Sequence, residues 1–231
     1  MNTVCIIGAG PSGITAAKNC QQNGIAYDIF EKNNKVGGNW VFNSATGHSS
    51  VYENTHIISS RTMSEYEDYP MPTTYPDYPR HDHLQAYFEN YSKHFGVYEN
   101  IKFHHTVDHV SKDSNGKWQV EYTDNQGNKH TKIYDYLMVS NGHHWMPKYP
   151  NYDGEFTGKW MHSHDFKGVT DEWRDKKILV IGAGNSGCDV AVESARVSKH
   201  IYISMRSPQW FVPKFMLGYP ADILVKALEK L

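Results

Sequence analysis

The chain has 231 residues, and its 23 Lys and Arg against 25 Asp and Glu leave a net charge of −2, with no basic cluster suited to nucleic acid or an anionic membrane. The length suits one or two domains with a sizeable core. Three cysteines, Cys5, Cys20 and Cys188, are odd in number and widely spaced, which excludes a disulfide framework, a zinc pattern and a CxxC redox pair and fits a reducing compartment.

The N-terminus shows no basic leader, and its apolar run of about four residues is too short for a secretion signal or a membrane span, so a cytoplasmic protein without a membrane partner is expected. That run, Val4-Cys5-Ile6-Ile7, reads as a strand buried in a parallel sheet. Gly8-Ala9-Gly10-Pro11-Ser12-Gly13 follows as a turn. Its first glycine permits the tight bend, its second lets backbone approach a phosphate, and its third lets helix pack on strand. Residues 12–23 read as the helix, whose free amides and dipole would face the phosphate charge. After the Asn23-Gly24 stop comes a second strand, Ala26-Tyr27-Asp28-Ile29-Phe30, ending in Glu31, where a carboxylate can bind both hydroxyls of an adenosine ribose. A carboxylate there would repel a 2'-phosphate, which leaves FAD or NAD for this first site. Gly37-Gly38-Asn39-Trp40 then brings a glycine pair and an aromatic ring just past the second strand, where backbone can pass close to a bulky cofactor. This arrangement resembles the FAD site of flavoproteins with two dinucleotide domains.

Residues 43–80 are polar, aromatic and proline-rich, and a run such as Asp68-Tyr69-Pro70-Met71-Pro72 cannot be regular helix or central strand. The density of tyrosine argues for an ordered cover that packs. A helix follows on Leu84, Tyr87, Phe88, Tyr91 and Phe95, with Asp82 as its N-cap and Gly96 as its stop. Residues 101–110, 118–122 and 129–134, separated by Asp/Asn/Gly turns, read as a β-meander. Residues 135–142 read as a buried strand that returns to the parallel sheet beside the first strand and brings Asn141-Gly142 to the cofactor. Paired histidines such as His143-His144 lack a matching set of cysteines or carboxylates, so no metal site is expected.

Residues 177–207 repeat the opening unit. Ile178-Leu179-Val180-Ile181 is the strand, Gly182-Ala183-Gly184-Asn185-Ser186-Gly187 the turn, residues 188–197 the helix and His200-Ile201-Tyr202-Ile203-Ser204 the second strand. That strand ends in Met205-Arg206-Ser207 instead of an acid. Arg206 stands about where Glu31 stands in the first unit, and a guanidinium beside a hydroxyl suits a 2'-phosphate. The first site therefore favours FAD and the second NADP.

Between the two units, Phe156, Gly158, His162 and Phe166 form an FxGxxxHxxxF pattern. Placed before a second GxGxSG and after a first GxGxxG with its GGxW follow-on, this pattern resembles the flavin-containing monooxygenases over essentially the whole chain. The resemblance implies an α/β fold with two Rossmann-like dinucleotide-binding domains. A FAD-binding domain with its β-meander would cover residues 1–150, a linker with the fingerprint residues 151–176, and the start of an inserted, incomplete NADP-binding domain residues 177–231. It implies NADPH reducing FAD, O2 adding to give a C4a-hydroperoxyflavin, and transfer of one oxygen atom to a small nitrogen- or sulfur-containing nucleophile. By position, Gly8, Gly10, Pro11, Ser12, Gly13, Glu31, Gly38, Asn39, Trp40 and Asn141 would serve FAD. Gly182, Gly184, Asn185, Ser186, Gly187, Arg206 and Ser207 would serve NADP.

Two departures from the family stand out. Relatives carry an active-site asparagine in the loop before Asp68-Tyr69-Pro70, but Ile58 stands at that place here, which leaves Asn54 as the nearest catalytic candidate. Family members also continue well past residue 231, so the apolar side of a final amphipathic helix at 221–231 would dock on a missing C-terminal half, on another chain such as a second copy in a homo-oligomer, or, least favoured with two lysines among eleven residues, on a membrane surface. The alternatives to a coupled monooxygenase are an uncoupled NADPH oxidase or flavin reductase and a truncated, non-catalytic nucleotide-binding fragment.

Overall fold

The computed structural model describes residues 2–228. In chain order the elements are β1 (Thr3–Ile7), α1 (Pro11–Gln22), β2 (Ala26–Glu31), α2 (Arg61–Ser64), α3 (His81–His94), β3 (Ile101–Phe103), β4 (Thr106–Lys112), β5 (Trp118–Thr123), β6 (Lys129–Tyr134), β7 (Tyr136–Val139), β8 (Lys177–Ile181), α4 (Asn185–Ala195), β9 (His200–Ser204), β10 (Phe215–Met216), β11 (Tyr219–Pro220) and α5 (Ala221–Leu228). They form an α/β fold with two Rossmann-like β-turn-α-β starts, divided into two compact units: Met1–Ser49 with Arg80–Met146, and Ser50–Pro79 with Pro147–Leu231. The end of the expected final helix, residues 229–231, lies outside the described residues. Among the described residues no helix is long and apolar enough to cross a membrane.

The first unit is built on a parallel sheet in the order β3-β2-β1-β7. Its centre is apolar on both faces, as a parallel sheet requires. Ile6 and Ile29 of the sheet and Ile14 and Ala17 of α1 are fully buried, and α1 packs on β1 and β2. The antiparallel meander β4-β5-β6 closes a second core, in which Cys5, Phe30, Val120 and Tyr134 are buried together. Burial, with Asp28 nearby, pushes the Cys5 thiol up to about 12, so this cysteine is a packed apolar group and no nucleophile.

Three expectations change here. The strand expected over 101–110 divides: residues 101–103 join the parallel sheet and 106–112 open the meander, because His104 takes a φ of 56° and turns the chain between sheets. The strand expected to be buried at 135–142 is the short edge strand β7, paired with β1 as foreseen but with Tyr136 and Val139 exposed. Asp82 lies inside the first turn of α3, whose N-cap is Arg80. There its carboxylate meets the positive end of the helix and the Arg80 guanidinium at 3.5 Å.

Asp28 ties the meander to the parallel sheet. It is bonded by Lys102, Lys132 and the Tyr134 hydroxyl, each at 2.6 Å. Burial raises its carboxyl, but the three bonds outweigh that and hold it at about 2. A carboxyl lowered in the fold stabilises above its unfolded pKa, and this contribution fades as pH falls from about 4 to about 2. Urea unfolding of Asp28→Asn is expected to show a deficit of about 2 kcal/mol at pH 7 that closes by about pH 2. A deficit independent of pH would show that charge is not its source.

The second unit holds the parallel pair β8-β9 with α4, the hairpin β10-β11 and α5. Residues 50–79 of the aromatic-proline stretch belong here and are held by packing. The backbone amide of Glu53 donates to Lys167 O at 3.0 Å, that of Ser60 to Asp222 Oδ2 at 2.6 Å, and the Tyr78 hydroxyl to Lys214 O at 2.5 Å. The Tyr78 ring meets Phe215 edge-on at 5.3 Å.

Candidate functional site

The first glycine turn joins β1 to α1 through Gly8, whose φ of 100° is closed to other residues. A Cβ on Gly13 would lie 1.8 Å from the Gly8 carbonyl oxygen, so only glycine lets α1 start this close to the strand. Gly10 is the N-cap, contributes no side-chain cap, and is followed by Pro11 at the first helical position. The first-turn amides are therefore uncapped by a side chain and stand at the positive end of the helix dipole. Gly38 faces this turn so closely that a Cβ on it would meet Gly10 Cα at 3.1 Å. The amide of Gly37 donates to Ala9 O at 3.2 Å, and Gly38–Trp40 is a single 3-10 turn. Ser49 Oγ donates to Asn39 O at 2.6 Å and fixes that turn from behind. On the other side a Cβ on Gly8 would strike Ser140 O at 2.5 Å, which brings the exposed Asn141 beside the turn.

Glu31 closes this cradle. It is 5% exposed, and its two oxygens accept from the amides of Ala9 and Asn33, each at 2.8 Å. A carboxylate offers about four acceptor positions, so ribose hydroxyls can share it with these amides. Asn33 carries no motif in the sequence. It is 1% exposed, and neither atom of its side-chain amide has a hydrogen-bond partner. A buried, unpaired amide is costly unless a ligand completes it. Two residues past Glu31, it fits the nucleoside end of a dinucleotide. The only advance signal was an asparagine, and the sequence is rich in them.

The second turn repeats the first in backbone. Gly182 has a φ of 106° against 100° for Gly8, and the N-cap Gly184 lies at φ −71° and ψ −179° against −76° and −176° for Gly10. A Cβ on Gly187 would stand 2.3 Å from Gly182 O, the counterpart of the Gly13 contact. Helix α4 begins at Asn185, three residues before the expected start, so Asn185 and Ser186 supply amides of its first turn. Parallel register pairs Ile7 with Phe30 in the first unit and Ile181 with Ser204 in the second. Continued one step, Glu31 corresponds to Met205, and Arg206 corresponds to Lys32. Arg206 and Ser207 are exposed, one position further along than the sequence comparison placed the guanidinium.

A cavity of about 300 Å³ adjoins this second turn, lined by Ala183, Asn185 and Cys188 of the turn and α4, by His56 and Ile58, and by the segment from Gln209 to Lys214. Its lining is apolar at Ile58, Trp210, Phe211 and Val212 and charged at Asp189 and Lys214. Burial raises the Asp189 carboxyl and lowers the Lys214 amine. Asn54 is not in that lining, and its Nδ2 donates to Glu193 Oε2 at 2.9 Å. His162 caps a 3-10 turn over Ser163–Asp165, its Nδ1 accepting from the His164 amide at 3.0 Å, which gives the fingerprint histidine a local structural job.

Against known proteins, a family model described as flavin-binding monooxygenase-like matches residues 1–230. Flavin-containing monooxygenase 5 of Rattus norvegicus is 35% identical over 97% of this chain and 44% of its own length, and flavin-containing monooxygenase 3 of Homo sapiens 35% identical over 96% and 43%. The chain thus spans less than half the length of these curated relatives. Among solved structures, the S-allyl-L-cysteine S-oxygenase of Allium sativum superposes with a TM-score of 0.83 at 27% identity, over 94% of this chain and 54% of that one. Tmm of Pelagibacter sp. strain HTCC7211 gives 0.82 at 29%, with the same coverage.

Proposed function

The chain belongs to the flavin-binding monooxygenase-like family, and from that premise we propose that it binds FAD at the first glycine turn and NADP at the second. We propose further that the protein uses them to move one oxygen atom of O2 to a soft nitrogen or sulfur nucleophile on a small molecule. The observation that carries this reading is the doubled glycine turn, near-identical in backbone, with a buried carboxylate as the last residue of one second strand and an exposed guanidinium just past the other.

The groups present fit an adenine dinucleotide at the first turn: uncapped helix amides for the pyrophosphate, a double-glycine approach at Gly10 and Gly38, Glu31 for ribose, and the unsatisfied amide of Asn33. FAD, when bound, supplies the redox chemistry with O2. The chain holds and orients it through Gly8, Gly10, Pro11, Ser12, Gly13, Glu31, Gly38, Asn39, Trp40 and Asn141. Gly182, Gly184, Asn185, Ser186 and Gly187 take the second pyrophosphate, with Arg206 and Ser207 on the 2'-phosphate. The expected division into a FAD domain at 1–150, a linker at 151–176 and the start of a NADP domain at 177–231 is kept in this proposal with one change: residues 50–79, which pack in the second unit, go with the NADP side.

The test is anaerobic reduction. The chain loaded with FAD is expected to bleach with NADPH faster than with NADH, and failure to bleach with either coenzyme would sink the reading. A second reading, an oxidase that releases hydrogen peroxide, is favoured by one observation: the cavity at the second turn carries apolar Ile58, 67% exposed, at the place where the family resemblance implies an active-site asparagine. Ile58→Asn is expected to raise the ratio of sulfoxide formed to NADPH consumed, with a thioether as substrate, and to lower peroxide. An unchanged ratio would remove Ile58 as the cause of uncoupling.

A further inference from the structure

Helix α4 does two things with one body. Its N-terminus forms the second cradle, and one turn later its side chains grip the segment that precedes Ile58. Asp189 and Glu193, four residues apart and so on one face of the helix, reach the first and third residues of a tight four-residue turn. The Tyr52 hydroxyl is hydrogen-bonded to Asp189, and Asn54 Nδ2 donates to Glu193 Oε2 at 2.9 Å. That turn is closed on itself, with the Thr55 amide donating to Tyr52 O at 2.9 Å and the Tyr52 amide to Thr55 Oγ1 at 2.8 Å. The chain leaves it through His56, whose ring bonds Lys214 Nζ, and then Ile58. His56, Ile58 and Lys214 line the cavity that Ala183 and Asn185 of the cradle also line. Tyr52 and Glu193 are 8% and 6% exposed, so the grip is a packed contact and not a surface pair.

We propose that Asp189 and Glu193 are positioning residues, acting through Tyr52 and Asn54 to fix the cavity wall at His56 and Ile58 against the second glycine turn, and so to set the affinity of the coenzyme bound there. This rests on the second turn being the NADP site. It also gives Asn54 a positioning part in place of the catalytic one. Because the clamp and the cradle belong to one helix, a displaced turn alters the space beside the cradle without touching the glycines. Glu193 keeps a second partner, the Arg196 guanidinium at 3.3 Å, so removing the Asn54 amide leaves no isolated buried charge.

The experiment measures the Kd for NADP+ and the Kd for FAD by calorimetry on the whole chain. Asn54→Ala and Glu193→Ala are each expected to weaken NADP+ roughly tenfold, as misplacement of a binding group does, with FAD affinity within twofold. The double variant should be no weaker than either single one. Glu193→Gln retains an acceptor oxygen for Asn54 and is expected to restore NADP+ binding. NADP+ affinity unchanged in both single variants, or lost in step with FAD affinity and with no rescue by glutamine, would overturn the clamp alone. A wild-type chain that binds FAD but no NADP+ would overturn the second-site reading and the clamp with it.

Discussion

Gly13→Ala is expected to abolish stable FAD binding and to destabilise the chain. A methyl group there would sit 1.8 Å from Gly8 O and 2.9 Å from Gly8 C, and both are backbone atoms of a turn already held at a φ of 100°. No rotamer relieves a Cβ, so α1 must move away from β1. Overpacking of this kind costs about 3 kcal/mol, or a Tm lower by roughly 10 °C in a chain of this size. The same movement withdraws the amides proposed to meet the pyrophosphate, and FAD affinity is expected to fall on the order of 100-fold, equivalent to about 3 kcal/mol. Gly24→Ala is the control: its φ is 65°, and open space surrounds the added methyl, so it carries backbone strain without the clash. Thermal unfolding and FAD titration of the two variants separate the effects. A Gly13→Ala chain that keeps its flavin would show that the close approach of helix and strand does not serve a phosphate.

Arg206→Ala is expected to weaken NADPH by about 30- to 100-fold, the loss of one or two charge-assisted hydrogen bonds, and to leave NADH within twofold. Arg206 is exposed, two residues past the end of β9, whose last register pair is Ser204 with Ile181. That register places it at the mouth of the second turn, where the Gly182 amide donates to Ser204 O at 2.8 Å. Being exposed, it should contribute little to folding, and a Tm within about 2 °C of wild type is expected. Its interaction with a phosphate is screened by salt, so the gap between wild type and variant should narrow between low and high ionic strength. Arg206→Lys should recover part of the affinity, since a point charge replaces a planar fork. An equal loss for both coenzymes would remove the 2'-phosphate from the account.

The parts legible in the sequence are those fixed by neighbours in the chain. Both strand-turn-helix-strand units, the stop at Gly24 and the meander follow from glycine spacing, apolar runs and turn residues. Their causes act over a few residues: a positive φ, a missing Cβ, a helix needing its N-terminus free. Even the split of residues 101–110 is local in cause, since His104 alone takes the left-handed conformation, but nothing in a histidine announces it.

What only the tertiary structure decided depends on residues far apart in the chain. The Asn54 amide is committed to Glu193, 139 positions away, and the Asp28 carboxylate to Lys132, 104 positions away. The exposure of β7, the orphaned amide of Asn33, and the one-residue offset that matches Arg206 to Lys32 are likewise set by register and packing. The sequence by itself determined that this protein has two near-identical glycine turns, each opening a helix, because backbone sterics at glycine are a short-range property. It left open which polar side chains face those turns and which brace them, because a hydrogen bond between distant residues exists only after folding has brought both into one place out of water.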